Sequence, residues 1–367
     1  MPVSGASTRA VSRRAARPFA LRGVRGGPAG LLAGLALVLV AAALAAALIG
    51  AAGIPITRLP AVMGLATGDP DLVARDRLIL GAVRLPRVAL AAAVGALLGV
   101  SGAIMQGLFR NPLADPGLIG VSAGAALSTA AMIVIGERIV ASSGTALPLG
   151  TLPAAAFVGG LVTTAVLYRL ATCEGRTAVA VLLLAGIAVG ALAMAGLGLL
   201  IFLADDRQLR DIQFWMLGSL GGATWDKALA LAPVLAAVCA ALPFFSRGLD
   251  VLALGEAEAF HMGIEVQRLK RWAVVSVAAA VGASVAFSGV VGFIGIVVPH
   301  LVRLAAGPGH RLVLPGSLLL GAALLLAADT VARIVAAPAE LPIGIVTALV
   351  GAPFFLALLL RRRVAGL

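Results

Sequence analysis

Arg84-Leu-Pro-Arg87 opens an apolar run that ends in Gln106-Gly-Leu-Phe-Arg-Asn-Pro-Leu-Ala-Asp-Pro-Gly-Leu-Ile-Gly120. Two arginines and a proline stand at one end of a run long enough to cross a bilayer. A polar segment broken by Pro112 and Pro116 stands at the other. A helix that only sits in lipid requires neither. Backbone groups freed by proline find no partner in hydrocarbon, so such a segment is tolerated only where protein or a cavity satisfies it.

The composition around this stretch points to one class of fold. The 367 residues are 61% hydrophobic and 12% charged, with a mean hydropathy of +1.09. A soluble domain could not cover that much apolar surface, so the chain is expected to be an all-α polytopic membrane protein. Aromatics make up only 4%, and Ala and Gly dominate. Small side chains let helices approach closely in lipid, which predicts a tight bundle.

The net charge of +12 gathers at the termini. Arg9, Arg13, Arg14, Arg17, Arg22 and Arg25 lie in an acid-free tail, residues 1–28, and Arg361, Arg362 and Arg363 lie at the far end. Basic tails are retained on the cytoplasmic side, so both termini are expected there and the number of spans is expected to be even. Binding to nucleic acid would call for a soluble domain or interleaved aromatics, and the chain offers neither. Cys173 and Cys239 are far apart and suggest no disulfide framework or metal site. The first apolar run, 29–52, is too long for a signal-peptide core and reads as a retained first helix.

Apolar runs of spanning length fall at 29–52, 88–109, 117–135, 147–167, 178–203, 228–245, 272–289, 290–306, 312–337 and 342–360, which makes ten transmembrane helices in a domain covering 29–363. As a single helix, 272–306 would run about 50 Å, too long for one span, so a tight turn is expected at Ser288-Gly289. With the N-terminus inside, segments 53–77, 136–146, 204–225 and 338–341 face outward, and 110–116, 168–177, 246–271 and 307–311 face inward. Ala91–Ala96 recurs as Ala278–Ala283, and Ser101-Gly102 as Ser288-Gly289, both offset by 187 residues. The two copies cross in opposite directions, so an inverted internal repeat is expected, as in transporters.

Chemistry-bearing motifs are few. Neither lysine, Lys227 or Lys270, sits in a phosphate-binding loop, so ATP hydrolysis on this chain is not expected. His261, His300 and His310 are dispersed and make no metal-ligand spacing. Asp329 and Arg333, four apart, read as a compensating pair within the bundle. An ion-coupled secondary transporter usually needs unpaired acids near the midplane, and the spans offer almost none.

Three segments remain. In the inward loop 246–271, Leu252–Ile264 reads as a short amphipathic helix ended by Gly263, with Glu256 and Glu258 where carboxylates favour the helix dipole. It is a connector or a docking knob for a soluble partner. At the outer face, Arg84, Arg87 and Arg333 either snorkel to the headgroups or present cations to carboxylates of an extracytoplasmic partner. The outer segment Asp205–Gly218 reads as an interfacial helix, with Phe214 and Trp215 anchoring it or lining the mouth of a pathway.

These segments, together with Ser101–Gln106, Arg110–Gly120, Phe214–Ser219, Leu254-Gly-Glu256, Gly292–Arg303, Ala328–Arg333 and Glu340–Gly344, closely resemble the permease subunits of ABC importers for iron-siderophores, haem and vitamin B12. The resemblance runs over about 30–363. It implies an inner-membrane protein working as two permease copies, most simply a homodimer, around a central pathway. Two cytoplasmic ATPase subunits would bind Mg-ATP, and a periplasmic binding protein would deliver cargo; no cofactor is implied on this chain. It makes Leu254, Gly255, Glu256, Ala257, Glu258, His261, Met262 and Gly263 the ATPase-coupling residues, and Arg84, Arg87 and Arg333 the docking residues. The vitamin B12 permease has polar Thr and Ser at the inner start of the fifth span, where this chain has Val179 and Ala180. With Phe214 and Trp215, these are the candidate pathway residues. Their apolar character, and the haem-permease look of the run from Phe214, favour haem as cargo, with ferric siderophores next and vitamin B12 behind.

Overall fold

Helix formation here follows hydropathy closely, with caps and prolines setting the ends. A computed structural model describes residues 27–50, 53–136, 138, 139 and 150–364. Most of the basic tail (1–26) and most of the outward loop 136–146 lie outside the described residues. So do 147–149, the start of the predicted fourth span.

Among the described residues, seven helices are long and apolar enough to cross a membrane. They are α1 (Gly27–Leu48), α2 (Pro70–Leu108), α4 (Thr151–Leu170), α5 (Val179–Leu203), α7 (Trp225–Leu252), α9 (Val266–Ser288) and α11 (His310–Val335). Three shorter apolar helices accompany them: α3 (Val121–Gly136), α10 (Ile294–Ala306) and α12 (Ile343–Val364, apolar as far as Leu358). Two short polar helices, α6 (Asp206–Leu217) and α8 (Glu256–His261), lie between them. The α-helical expectation has one small exception. Strands β1 (Thr172–Cys173) and β2 (Arg176–Thr177) form a hairpin whose turn, Glu174-Gly175, has positive φ at both residues, as a two-residue hairpin turn demands.

Helix α2 is the most buried of the long helices and α1 the least. Helices α7, α9, α10 and α11 all pack on α2. Its contact with α11 is backbone to backbone. A methyl group on Gly95 would collide with the Gly321 carbonyl oxygen, and one on Gly321 with the Gly95 carbonyl oxygen. In lipid, where no hydrophobic force gathers helices, such close approach is the main source of packing energy.

Three boundaries differ from the sequence expectation. Helix α2 begins at Pro70, within the segment 53–77 read as an outward loop, rather than at 88. The run 290–306 is not helical throughout. Gly289 and Phe293 both have positive φ, and the helix starts only at Ile294. Thirteen residues rise about 20 Å, short of the roughly 30 Å hydrocarbon core. The irregular link is partly enclosed instead, with Gly289 and Val291 buried and Gly292 exposed. The inward loop is also shorter than 246–271, because α7 continues to Leu252 and α9 begins at Val266.

The repeated hexapeptides lie on α2 and α9, which run in opposite directions. Helix α2 passes Asp329 and Glu340 at Arg87 and ends against Leu249 and His310. Helix α9 starts beside α8 and ends where Ser288 accepts a hydrogen bond from the Ser219 N–H. The repeated Ser-Gly pairs are not equivalent. Ser101 is in mid-helix, whereas Ser288 ends one.

Candidate functional site

The candidate residues gather at the two ends of the bundle. At one, α8 projects between α7 and α9. It needs Gly255 before it, at φ 132°, and Gly263 after it, at φ 80°, because both turns use backbone that side chains other than glycine's disfavour. Leu254, Phe260 and Met262 are exposed. Ala257, Phe260 and His261 line a cleft with Arg176, Arg268 and Arg271. An apolar ridge beside basic residues is what a protein partner could grip. Glu256 carries a further contact: its Oε2 accepts from the Lys270 Nζ at 2.7 Å.

The opposite end gathers Arg84, Arg87 and Arg333, as expected, but turned inward: all three are buried. Arg87 donates to Asp329 at 2.9 Å and to Glu340 at 2.8 Å. Arg333 Nε lies 3.1 Å from Asp329, so the sequence pair Asp329–Arg333 is really a triad with Arg87. Arg84 donates to the carbonyls of Ala47 and Leu48, and Arg333 to those of Ala46 and Ile49. Two of the three arginines therefore cap the C-terminus of α1, where orphan carbonyls and the helix dipole favour cations. The three cations, read as snorkelling to headgroups or presented to a partner's carboxylates, are here engaged within the chain, and the carboxylate of Glu340 beside them is half-exposed.

The candidate pathway residues are split between the two ends. Val179 and Ala180 start α5 on the α8 side, next to the hairpin. Phe214 and Trp215 sit on α6 at the arginine side, in a cleft with Pro153, Phe287 and Gly289. Helix α6 is well fixed. Asp205 Oδ1 accepts from the N–H groups of Arg207 and Gln208, and Gln208 Oε1 accepts from the Asp205 N–H. Its far end is held by the Ile343 N–H donating to the Gly218 carbonyl. Between these ends α5 exposes only apolar side chains, among them Leu184, Ile187 and Leu192.

The broken segment after α2 is satisfied by protein. Asp115 Oδ1 accepts from the Gly117 N–H at 2.7 Å, and Gly120 closes the turn at φ 74°. Burial pushes the Asp115 carboxyl above the usual carboxylate range, and that hydrogen bond works against the rise. Pro116 packs on Gly295 and the Leu118 carbonyl on Gly186, so the segment is wedged into the bundle.

Comparison with known proteins gives this geometry a family. The model of the FecCD transport family matches residues 35–361. The chain belongs to that family. It is similar to the hemin transport system permease protein HmuU of Yersinia pestis, 47% identical over 77% of this chain and 83% of that one. It is similar, too, to the cobalamin import system permease protein BtuC of Halobacterium salinarum, 44% identical over 79% and 76%. Among solved structures, a metal-chelate type ABC transporter in an inward-facing conformation superposes with a TM-score of 0.79 at 32% identity, covering 91% of this chain and 99% of that one. This FecCD protein is thus a multi-pass ABC importer permease, a transport subunit of a class that keeps its ATPase on a separate chain.

Several residues that organise the permease escaped sequence reasoning. Gln106 donates to the Gly295 carbonyl at 3.2 Å. That carbonyl has lost its normal helix partner, because residue 299 is a proline. Arg303 in turn bonds the Gln106 amide oxygen. Asp250 accepts from both the backbone N–H and the Nδ1 of His310, joining the end of α7 to the start of α11. Glu340 was legible as part of a family motif and Lys270 as a lysine outside any phosphate-binding loop, but neither partner was. Their partners lie 253 and 14 residues away.

Proposed function

We propose that this permease carries haem inward across the bacterial inner membrane, as a homodimer served by two ATPase subunits and a periplasmic binding protein. What most supports haem is the 47% identity to a relative named as a hemin permease. The chemistry of α5 agrees. Helix α5 contains no His, Tyr or Cys, and its one potential iron ligand is the weak thioether of Met194, so a flat apolar porphyrin can slide past without its iron being held tightly. Val179 and Ala180 leave the α8 end of that helix apolar.

In this reading α8 lies on the cytoplasmic side and docks the ATPase, with Leu254, Phe260 and Met262 as its contact surface. The binding protein docks at the arginine end. A carboxylate arriving there meets Arg87 by exchanging with Glu340, the one partner of Arg87 that is open to solvent. The exposed apolar faces of α5 and α7 meet the second copy across the pathway.

The cobalamin relatives favour a second reading, vitamin B12 as cargo, and ferric siderophores form a third. Reconstitution of the permease with its ATPase and binding protein in liposomes separates them. ATP-dependent accumulation of haem, with little of a ferric siderophore or cobalamin, is expected. Preference for either of the others would overturn haem. Uptake driven by a proton gradient without ATP would overturn the importer reading for an ion-coupled carrier.

A further inference from the structure

We infer that Lys270 is a positioning residue that ties α8 to the start of α5, so that movement of α8 is delivered to Val179 and Ala180. Lys270 lies on α9 and is 2% exposed. Its ammonium donates in two directions, to Glu256 Oε2 at 2.7 Å and to the Thr177 carbonyl at 2.8 Å. Glu256 is the first residue of α8, and Thr177 stands two residues before α5. One turn earlier on α9, Gln267 Oε1 accepts from the Thr177 N–H at 2.9 Å. Both backbone groups of Thr177 are thereby held by α9, and its hydroxyl bonds the Tyr168 hydroxyl at the end of α4.

A buried ammonium is costly unless it is paired and hydrogen-bonded. Lys270 is paired with a carboxylate that stays half-exposed on the very helix that protrudes. A side chain serving packing alone would be met by a leucine or methionine at this position. The two acceptors instead bracket the route from the projecting helix to the first turn of α5. Both contacts are short and charge-assisted, so a shift of Glu256 draws on Lys270 and, through it, on the strand that feeds α5. This inference rests on α8 being the ATPase contact.

The test uses the full complex in liposomes, in a background with Cys173→Ser and Cys239→Ser and with Ala257→Cys as a crosslinking probe towards the ATPase. Lys270→Met is expected to keep the crosslink and to keep ATP hydrolysis within about two-fold. Cargo imported per ATP should fall at least ten-fold, and Lys270→Arg should restore most of it. Unchanged cargo per ATP in Lys270→Met, with the crosslink intact, would overturn the inference and leave the docking of α8 standing. Absence of the crosslink in the parent complex would overturn the docking itself, and the inference with it. Should Lys270→Met fail to assemble, Glu256→Ala removes the acceptor at a half-exposed side chain, read with the Ala257→Cys crosslink intact so that lost docking is not mistaken for a lost link. A fall in cargo per ATP supports the link, and an unchanged ratio overturns it.

Discussion

The Arg87 guanidinium and the Asp329 carboxylate stand 2.9 Å apart across 242 residues of chain. Arg333 meets the same carboxylate at 3.1 Å. One buried acid therefore offsets two buried cations, and its loss cannot be made good by water. Asp329→Asn should destabilise the permease by about 3–5 kcal/mol, the usual cost of leaving buried charge unpaired. Glu340→Gln, at a half-exposed partner of the same Arg87, should cost no more than about 1 kcal/mol. Thermal unfolding in detergent distinguishes the two, and equal losses would contradict the assignment of Asp329 as the structural partner.

The backbone contact between α2 and α11 makes a second expectation. Gly95→Val places a branched side chain where the Gly321 carbonyl sits, and helices that cannot approach lose most of their packing in lipid. Yield of monodisperse protein should collapse. Gly34→Ala on α1, where a methyl group meets nothing, should behave as the parent does.

Phe260 is 72% exposed on α8, so changing it cannot open a hole in the core. Phe260→Asp should leave folding and membrane insertion intact while reducing capture of the ATPase subunit at least ten-fold. Normal capture in a pull-down from detergent would remove Phe260 from the docking surface.

Ala180 is exposed at the first turn of α5. If that turn borders the exit, Ala180→Trp should block release of cargo while ATP hydrolysis continues. Uptake at the parental rate would exclude Ala180 from the pathway.

Gln106 supplies a bond that Pro299 denies to Gly295. Gln106→Leu leaves that carbonyl unpaired and should cost about 1–3 kcal/mol, read as a lower unfolding midpoint. An unchanged midpoint would mean that the carbonyl finds another partner.

The long helices could be read from the sequence because hydropathy is local and cumulative. An apolar run such as 178–203 has few alternatives to a helix in lipid, and the structure places α5 at Val179–Leu203. Capping is local as well. The segment Asp205–Gly218 read as a helix from its own residues, and the structure adds the capping box of Asp205 with Gln208 that starts α6. The re-entrant stretches were harder. Gly289–Phe293 is as apolar as the helices beside it, and only the fit of that link against Gly218 and its neighbours makes irregular backbone bearable there.

The sequence by itself determined that this chain is a bundle of membrane helices with polar working parts at both ends, because burial of apolar surface and the need to satisfy backbone groups in lipid leave no other solution. It also determined which family of motifs those parts carry. Only the tertiary structure decided how the charges are used. Arg84 and Arg333 cap α1, Arg87 is shared between Asp329 and Glu340, and Lys270 joins Glu256 to Thr177. A buried charge takes whichever opposite charge or orphan carbonyl the packing brings within about 3 Å, and packing, unlike hydropathy, joins residues hundreds of positions apart.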